Sequence, residues 1–176
     1  MKSLNKVIAC MKELGKTPRV QSFEDRLVIQ KTVCLLELMG FDIGYRFSLY
    51  VRGPYSPDLT ADLYNQQDLV ESLKTDYSMT AEEKGFITKI SEASDGLDPA
   101  LLEIMATYAF ISKDMGMESK EAVSQLKKLK PFYSEARIAV GISRAKGLFP
   151  RTEKEVMEMK AEFRESEGAA LSDSKY

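Results

Sequence analysis

The segment from Arg26 to Tyr64, RLVIQKTVCLLELMGFDIGYRFSLYVRGPYSPDLTADLY, constrains the fold of this chain more than any other. It begins as a helix wide in apolar residues that stops at Gly40. A strand follows in which Tyr45, Phe47, Leu49 and Val51 alternate with Arg46, Ser48, Tyr50 and Arg52. Strict alternation places one set on a packed face and the other toward water or a partner. Arg52-Gly53-Pro54-Tyr55 then breaks the strand, and Ser56-Pro57-Asp58 opens a second helix. The serine hydroxyl caps the first free amides. Proline at the first helical position leaves no amide unpaired, and the aspartate sits at the positive end of the helix dipole.

Mapped at about 100° per residue, the first of these helices is covered on most sides. Leu27, Val28, Cys34, Leu35, Leu38 and Met39 make a broad apolar arc, and Arg26, Gln30 and Glu37 share one narrow polar face. This helix is the central one. Lys31 falls inside the apolar arc, where a lysine must snorkel, find a carboxylate or line a cavity. Asp42, Asp58 and Asp62 are the candidate carboxylate partners, which would pin helix to strand.

Helical spacing dominates elsewhere. Leu4, Val7, Ile8, Met11 and Leu14 form one stripe ended by Gly15, and Ser22 caps the next helix. Leu59, Leu63, Val70 and Leu73 mark the buried side of the helix after Ser56, with Asn65–Asp68 as a polar run that divides it. Asp76–Met79 is the natural second strand, since a lone strand leaves its backbone unpaired. Thr80–Glu83 and Thr152–Glu155 read as capping boxes. Asp98-Pro99 starts a helix running to Met115 and stopped by Gly116. Ser119 caps a short helix, Pro131 opens another, and Val156, Met159 and Phe163 lie on one stripe of the last.

The expected fold is mainly α, a bundle-like domain of seven to eight helices with one two-stranded β element and a winged-helix-like N-terminal half. Residues 1–94 carry the helix–strand–helix part, 98–165 a helical part packed in the same domain, and 166–176 a disordered tail, with Ser94–Gly96 as the boundary. A chain of 176 residues buries roughly 70% of its unfolded surface and needs no staple.

Composition excludes several functions. There is no histidine, which removes His-based acid–base catalysis, Ser-His and Cys-His nucleophile pairs, and nearly all zinc and iron sites. Cys10 and Cys34 sit in apolar helical settings and read as free buried thiols. No phosphate-binding glycine loop is present, and neither a cleavable leader nor a transmembrane helix is expected. No metal, cofactor or membrane is expected, and the location expected is cytoplasmic. The net charge of −2 is not that of a general nucleic-acid coat, although a local basic patch is compatible with it.

The pattern R-L-x-I-Q-K-x-V-x-L-L followed by G-Y-x-F-x-x-Y-x-R-G-P-Y-S-P-x-L-x-x-D-L-Y resembles the YwgA-like proteins and, more distantly, the Panacea or SocA-like antitoxin domain. The matching positions are Gln30, Lys31, Gly53, Pro54, Tyr55, Pro57 and Leu63. Arg52 stands where that domain commonly has an aromatic residue. The resemblance implies a mostly helical, non-enzymatic module that binds another protein, sometimes beside a DNA-binding element.

The candidate partner surface is Arg46, Tyr50, Arg52 and Tyr55. Alternate strand residues lie about 6.5–7 Å apart, near the spacing of successive phosphates. Phosphate tracking with base stacking is one reading of this face. The competing one is a solvated strand whose arginines discourage edge pairing. Three functions follow in order: a protein-interaction or self-associating regulatory module, a winged-helix-like DNA-binding regulator, and an enzyme using Lys31 with a carboxylate. Asp58, Asp62 and Asp68 weigh against DNA, because acids on a recognition helix repel phosphate.

Overall fold

Residues 1–173 are described by a computed structural model. The chain runs α1 (Leu4–Glu13), α2 (Phe23–Leu38), β1 (Ser48–Tyr50), β2 (Gly53–Tyr55), α3 (Pro57–Asn65), α4 (Gln67–Glu71), α5 (Ala81–Ala93), α6 (Pro99–Ala109), α7 (Ser119–Leu129), α8 (Glu135–Gly147) and α9 (Glu153–Asp173). It is mainly helical with one small antiparallel sheet, as the sequence predicts. Nine helices occur among the described residues, since the polar run at 65–68 divides α3 from α4 at Gln66.

Most starts follow the cap chemistry. Ser3, Ser22, Ser56, Thr80 and Asp98 each accept from a backbone amide three residues on, and Thr80 with Glu83 completes a capping box. Two starts differ from the sequence reading. Ser119 is the first residue of α7 rather than its cap, which is Glu118. Pro131 does not open α8; it lies just past the end of α7, and Ser134 caps α8. The residue before a proline is pushed out of the helical region, and Lys130 is accordingly non-helical at φ −127°. Helix α6 continues into one π-helical turn, Phe110–Asp114, before Gly116.

The sheet pairs differently from the expectation. Residues 76–79 form no strand; β1 turns back at once and pairs with β2, Ser48 opposite Tyr55 and Tyr50 opposite Gly53. The Gly-Pro segment is the returning strand, not the break. Neither Val51 nor Arg52 adopts positive φ, while Gly53 takes φ +93° and supplies the left-handed step that closes so tight a turn. Tyr45 is buried and Phe47 and Leu49 half-buried, as the alternation requires, but Val51 sits at the turn and is 86% exposed.

The core gathers around α2 and α6. Nine of the eleven residues of α6 are buried, so it, as much as α2, is the centre of the molecule. Leu35, Leu36, Ile29, Leu102, Ile104 and Met105 fill this seam. Gly141 of α8 faces Ile104, and a Cβ there would run into the isoleucine side chain, so the glycine sets how closely α8 approaches α6. Both thiols, Cys10 and Cys34, are free and buried.

From Glu153 to Leu171 helix α9 is exposed, apart from the half-buried Val156. Phe163 is 65% exposed, so the Val156, Met159 and Phe163 stripe does not enter the core. Its start is held by the Thr152–Glu155 capping box and a Lys154–Glu118 ion pair at 2.9 Å. The helix runs past Ser166, where the sequence predicts a disordered tail, to Asp173; residues 174–176 of that tail lie outside the described residues.

Gly53 is the glycine on which the hairpin depends. A Cβ at this position would collide with Thr107 Oγ1 of α6 and approach Lys31 Nζ at 3.6 Å. Gly53→Ala is expected to destabilise the protein by about 3 kcal/mol, from overpacking added to a left-handed backbone. Gly116 also has positive φ, +70°, but open space around it, and Gly116→Ala should cost about 1 kcal/mol. Urea unfolding of the two variants checks the difference.

Candidate functional site

On the narrow polar face of α2, Gln30 is buried and, with Glu37 and the neighbouring Lys31, holds the segment 45–56. Gln30 acts as a substitute strand. Its Nε2 donates to Ser56 O and to Thr60 Oγ1, and its Oε1 accepts from Ser56 N, each at 2.9 Å. Glu37 Oε1 accepts from Tyr45 N at 2.9 Å. Lys31 Nζ donates to Pro54 O at 2.8 Å.

Among the described residues Lys31 therefore forms no ion pair, contrary to the pairing expected with Asp42, Asp58 or Asp62. Asp58 pairs with Lys2 at 3.4 Å, and Asp62 accepts from Tyr45 OH at 2.8 Å. A buried carbonyl needs a donor, and Lys31 supplies it where proline has interrupted the amides. Burial holds the Lys31 ammonium down to about 8. Cys34 and Glu103 act in the opposite direction, while Lys130 and Arg52 add to the lowering.

A second buried amine supports the turn from the other side. Lys130 is fully buried, pairs with Glu103 of α6 and reaches Val51 O at 3.5 Å. Tyr133 OH donates to the other Glu103 oxygen at 3.1 Å. The sequence reading missed this pair. Its signal is the lone acid in the apolar run Ala100–Ala106, which demands a buried cation.

Above this floor lies a groove of about 430 Å³ between the hairpin turn and the start of α2. Tyr50, Val51, Arg52 and Tyr55 form one wall, and Phe23, Arg26, Leu27 and Tyr64 the other, with Gln30 and Lys31 beneath. The Tyr50 and Tyr55 rings meet edge to face at 5.5 Å. The Arg52 guanidinium lies 4.9 Å from the Phe23 ring centroid, and that of Arg26 lies 6.0 Å from Phe23 and 5.5 Å from Tyr64.

No Asp or Glu among the described residues lines the groove. Among the described residues, Arg26, Lys31 and Arg52 form no ion pair. The polar hollow of about 320 Å³ beside residues 75–79 differs, because it carries both signs and its Lys84 pairs with Glu13 at 3.7 Å.

Of the predicted surface, Tyr50, Arg52 and Tyr55 come together here, while Arg46 is exposed but outside the groove lining. Of the motif positions, Gln30, Lys31 and Pro54 join the hairpin to α2, Gly53 makes its turn and Pro57 starts α3. Phe23, Arg26 and Tyr64 are members that sequence reasoning missed; an aromatic at the first position of α2, left exposed, was the available sign. Among the described residues no cluster of acids and thiols is arranged to hold a metal ion, and no helix is long and apolar enough to cross a membrane.

No protein-family model, curated protein or solved structure matches this chain.

Gln30→Leu removes three hydrogen bonds and leaves Ser56 N buried without a partner, while Ser56 O keeps only the amide of Thr60. It is expected to cost about 3 kcal/mol and to abolish hydrogen-exchange protection at residues 48–56. Lys31→Met tests the buried amine. The folded value of about 8 lies below the ordinary 10.5, so the unfolded chain holds the extra proton between the two. The group opposes folding in full below pH 8, and this penalty fades as pH rises toward 10.5. Wild type should gain about 2 kcal/mol on Lys31→Met between roughly pH 8 and pH 10, read from denaturant midpoints. Burial raises the Cys10, Cys34, Tyr45 and Tyr133 values, giving these groups the opposite pH dependence; all four are present in both proteins, and Cys34 alone among them is lowered by the Lys31 charge.

Proposed function

We propose that this protein is a cytoplasmic, non-enzymatic regulatory module of the YwgA-like and SocA-like kind that docks a protein partner through its hairpin face. The observation that carries this reading is the division of labour within the motif. Its buried members stitch the hairpin to the helical core. The hairpin turn meanwhile holds Tyr50 and Val51 in solvent beside Phe23, with 51%, 86% and 54% of their surfaces exposed. Aromatic and arginine side chains on a rigid support are the usual anchors of protein interfaces.

The other two readings have less behind them. An enzyme built on Lys31 and a carboxylate lacks its second member in the groove. A recognition role for α3 must contend with Asp58 and Asp62, while the local excess of arginine beside exposed rings is the one observation that favours nucleic acid.

Affinity capture from native lysate, with and without nuclease, separates the readings. Wild type should retain a protein partner after nuclease, and Tyr50→Ala/Arg52→Glu, matched to wild type in melting temperature, should lose it at least roughly tenfold. Equal retention by the variant would remove the hairpin face from the interaction. Recovery of nucleic acid alone would put the DNA-binding reading in its place.

A further inference from the structure

We infer that the groove between the hairpin turn and α2 is a ligand pocket for a planar ring that carries an anionic group. The inference rests on the reading of this face as a binding surface and adds the chemistry of what is bound. The volume of about 430 Å³ lies in the range of small-ligand sites, roughly 300–1,000 Å³.

The walls specify the two halves of the ligand. Arg26 of α2 and Arg52 of the hairpin turn both lie over the single ring of Phe23, 6.0 and 4.9 Å from its centroid. A guanidinium stacked by its face keeps its in-plane N–H donors for a carboxylate or phosphate. Arg26 spends one donor group on Val20 O at 2.7 Å, and Arg52 makes no hydrogen bond among the described residues. Lys31 lies beneath them, and its single hydrogen bond to Pro54 O leaves an ammonium two further protons to offer. Three cations thus converge where no carboxylate lines the surface, in a chain of net charge −2. Field lines focused by such a concavity favour an anion. The rings of Tyr50 and Tyr55 on one wall and of Tyr64 on the other supply the apolar, planar-matching part of the lining.

An aromatic carboxylate and a nucleotide phosphate share this chemistry, and matched probes tell them apart. The purified full chain is titrated by calorimetry with N-acetyltyrosine, N-acetyltyrosinamide, AMP, adenosine and inorganic phosphate, with tyrosine ring signals followed by NMR. At least one ring-bearing anion should bind roughly tenfold or more tighter than its neutral counterpart and than phosphate alone. Which of the two it is names the source. Its binding should shift the Tyr50 and Tyr55 signals and fall roughly tenfold or more in Arg26→Gln and in Arg52→Gln, both folded as wild type. Lys89→Gln, the same charge change on the exposed surface of α5, should leave it intact.

Equal binding of the neutral counterparts, or equal loss in Lys89→Gln, overturns the anion pocket while leaving the face a binding surface. Absence of binding by every probe at millimolar concentration also overturns the pocket. Neither result bears on capture of a protein partner, which is read separately.

Discussion

A hairpin with three residues in each strand does not hold itself together in water, and this one carries a proline that removes a ladder donor. Its backbone is completed by side chains instead. Gln30 pairs with both polar groups of Ser56, Lys31 serves Pro54 O, and Lys130 reaches Val51 O. These donors lie in the interior, where an unpaired carbonyl or amide is costly, so hairpin and core depend on each other. The rest of the arrangement follows. Gly53 must be bare because Thr107 of α6 lies against it, and α3 begins where it does because Ser56 is fixed by Gln30 before it caps the helix.

Two buried amines near one turn are an unusual burden for a domain of this size. Lys130 is compensated by Glu103, itself held by Tyr133. Removing one member of such a pair leaves a buried charge and is far more damaging than replacing both. Lys31 has no such partner among the described residues; its burden is met by a lowered affinity for its proton and by a carbonyl acceptor. With Arg26 and Arg52 above it, positive charge accumulates on one side of the hairpin. The same geometry that makes the hairpin rigid therefore gives its exposed face a definite electrostatic sign. A rigid scaffold presenting aromatic and guanidinium groups loses little conformational entropy on binding.

Helix α9 stands apart from this scheme. Its apolar residues are spaced as if for burial, yet Met159 and Phe163 remain exposed. Periodicity reports which residues share a face, not whether another element covers that face. The same limit explains α2, where it was legible that Arg26, Gln30 and Glu37 form one polar stripe, but not that Gln30 and Glu37 hydrogen-bond to residues 45–56. Polar character alone does not separate a group that meets water from one that meets a backbone.

Local chemistry was enough to read most helices, because caps, proline at first turns and terminating glycines act within four residues: Ser22, Ser56, Thr80 and Asp98 all cap where expected. The absence of histidine likewise settled by itself which chemistries are closed to this chain. What a position meets across the fold was decided only in three dimensions. Strand pairing is one case, since 76–79 and 53–55 both offered backbone groups and the shorter loop closure prevailed. The partner of Lys31 is another, because an ammonium accepts a carbonyl as readily as a carboxylate and proximity makes the choice. The groove is the third. Phe23, Arg26, Arg52 and Tyr64 are separated by up to about forty residues and share a site only because Gln30 and Lys31 bind the hairpin down onto α2.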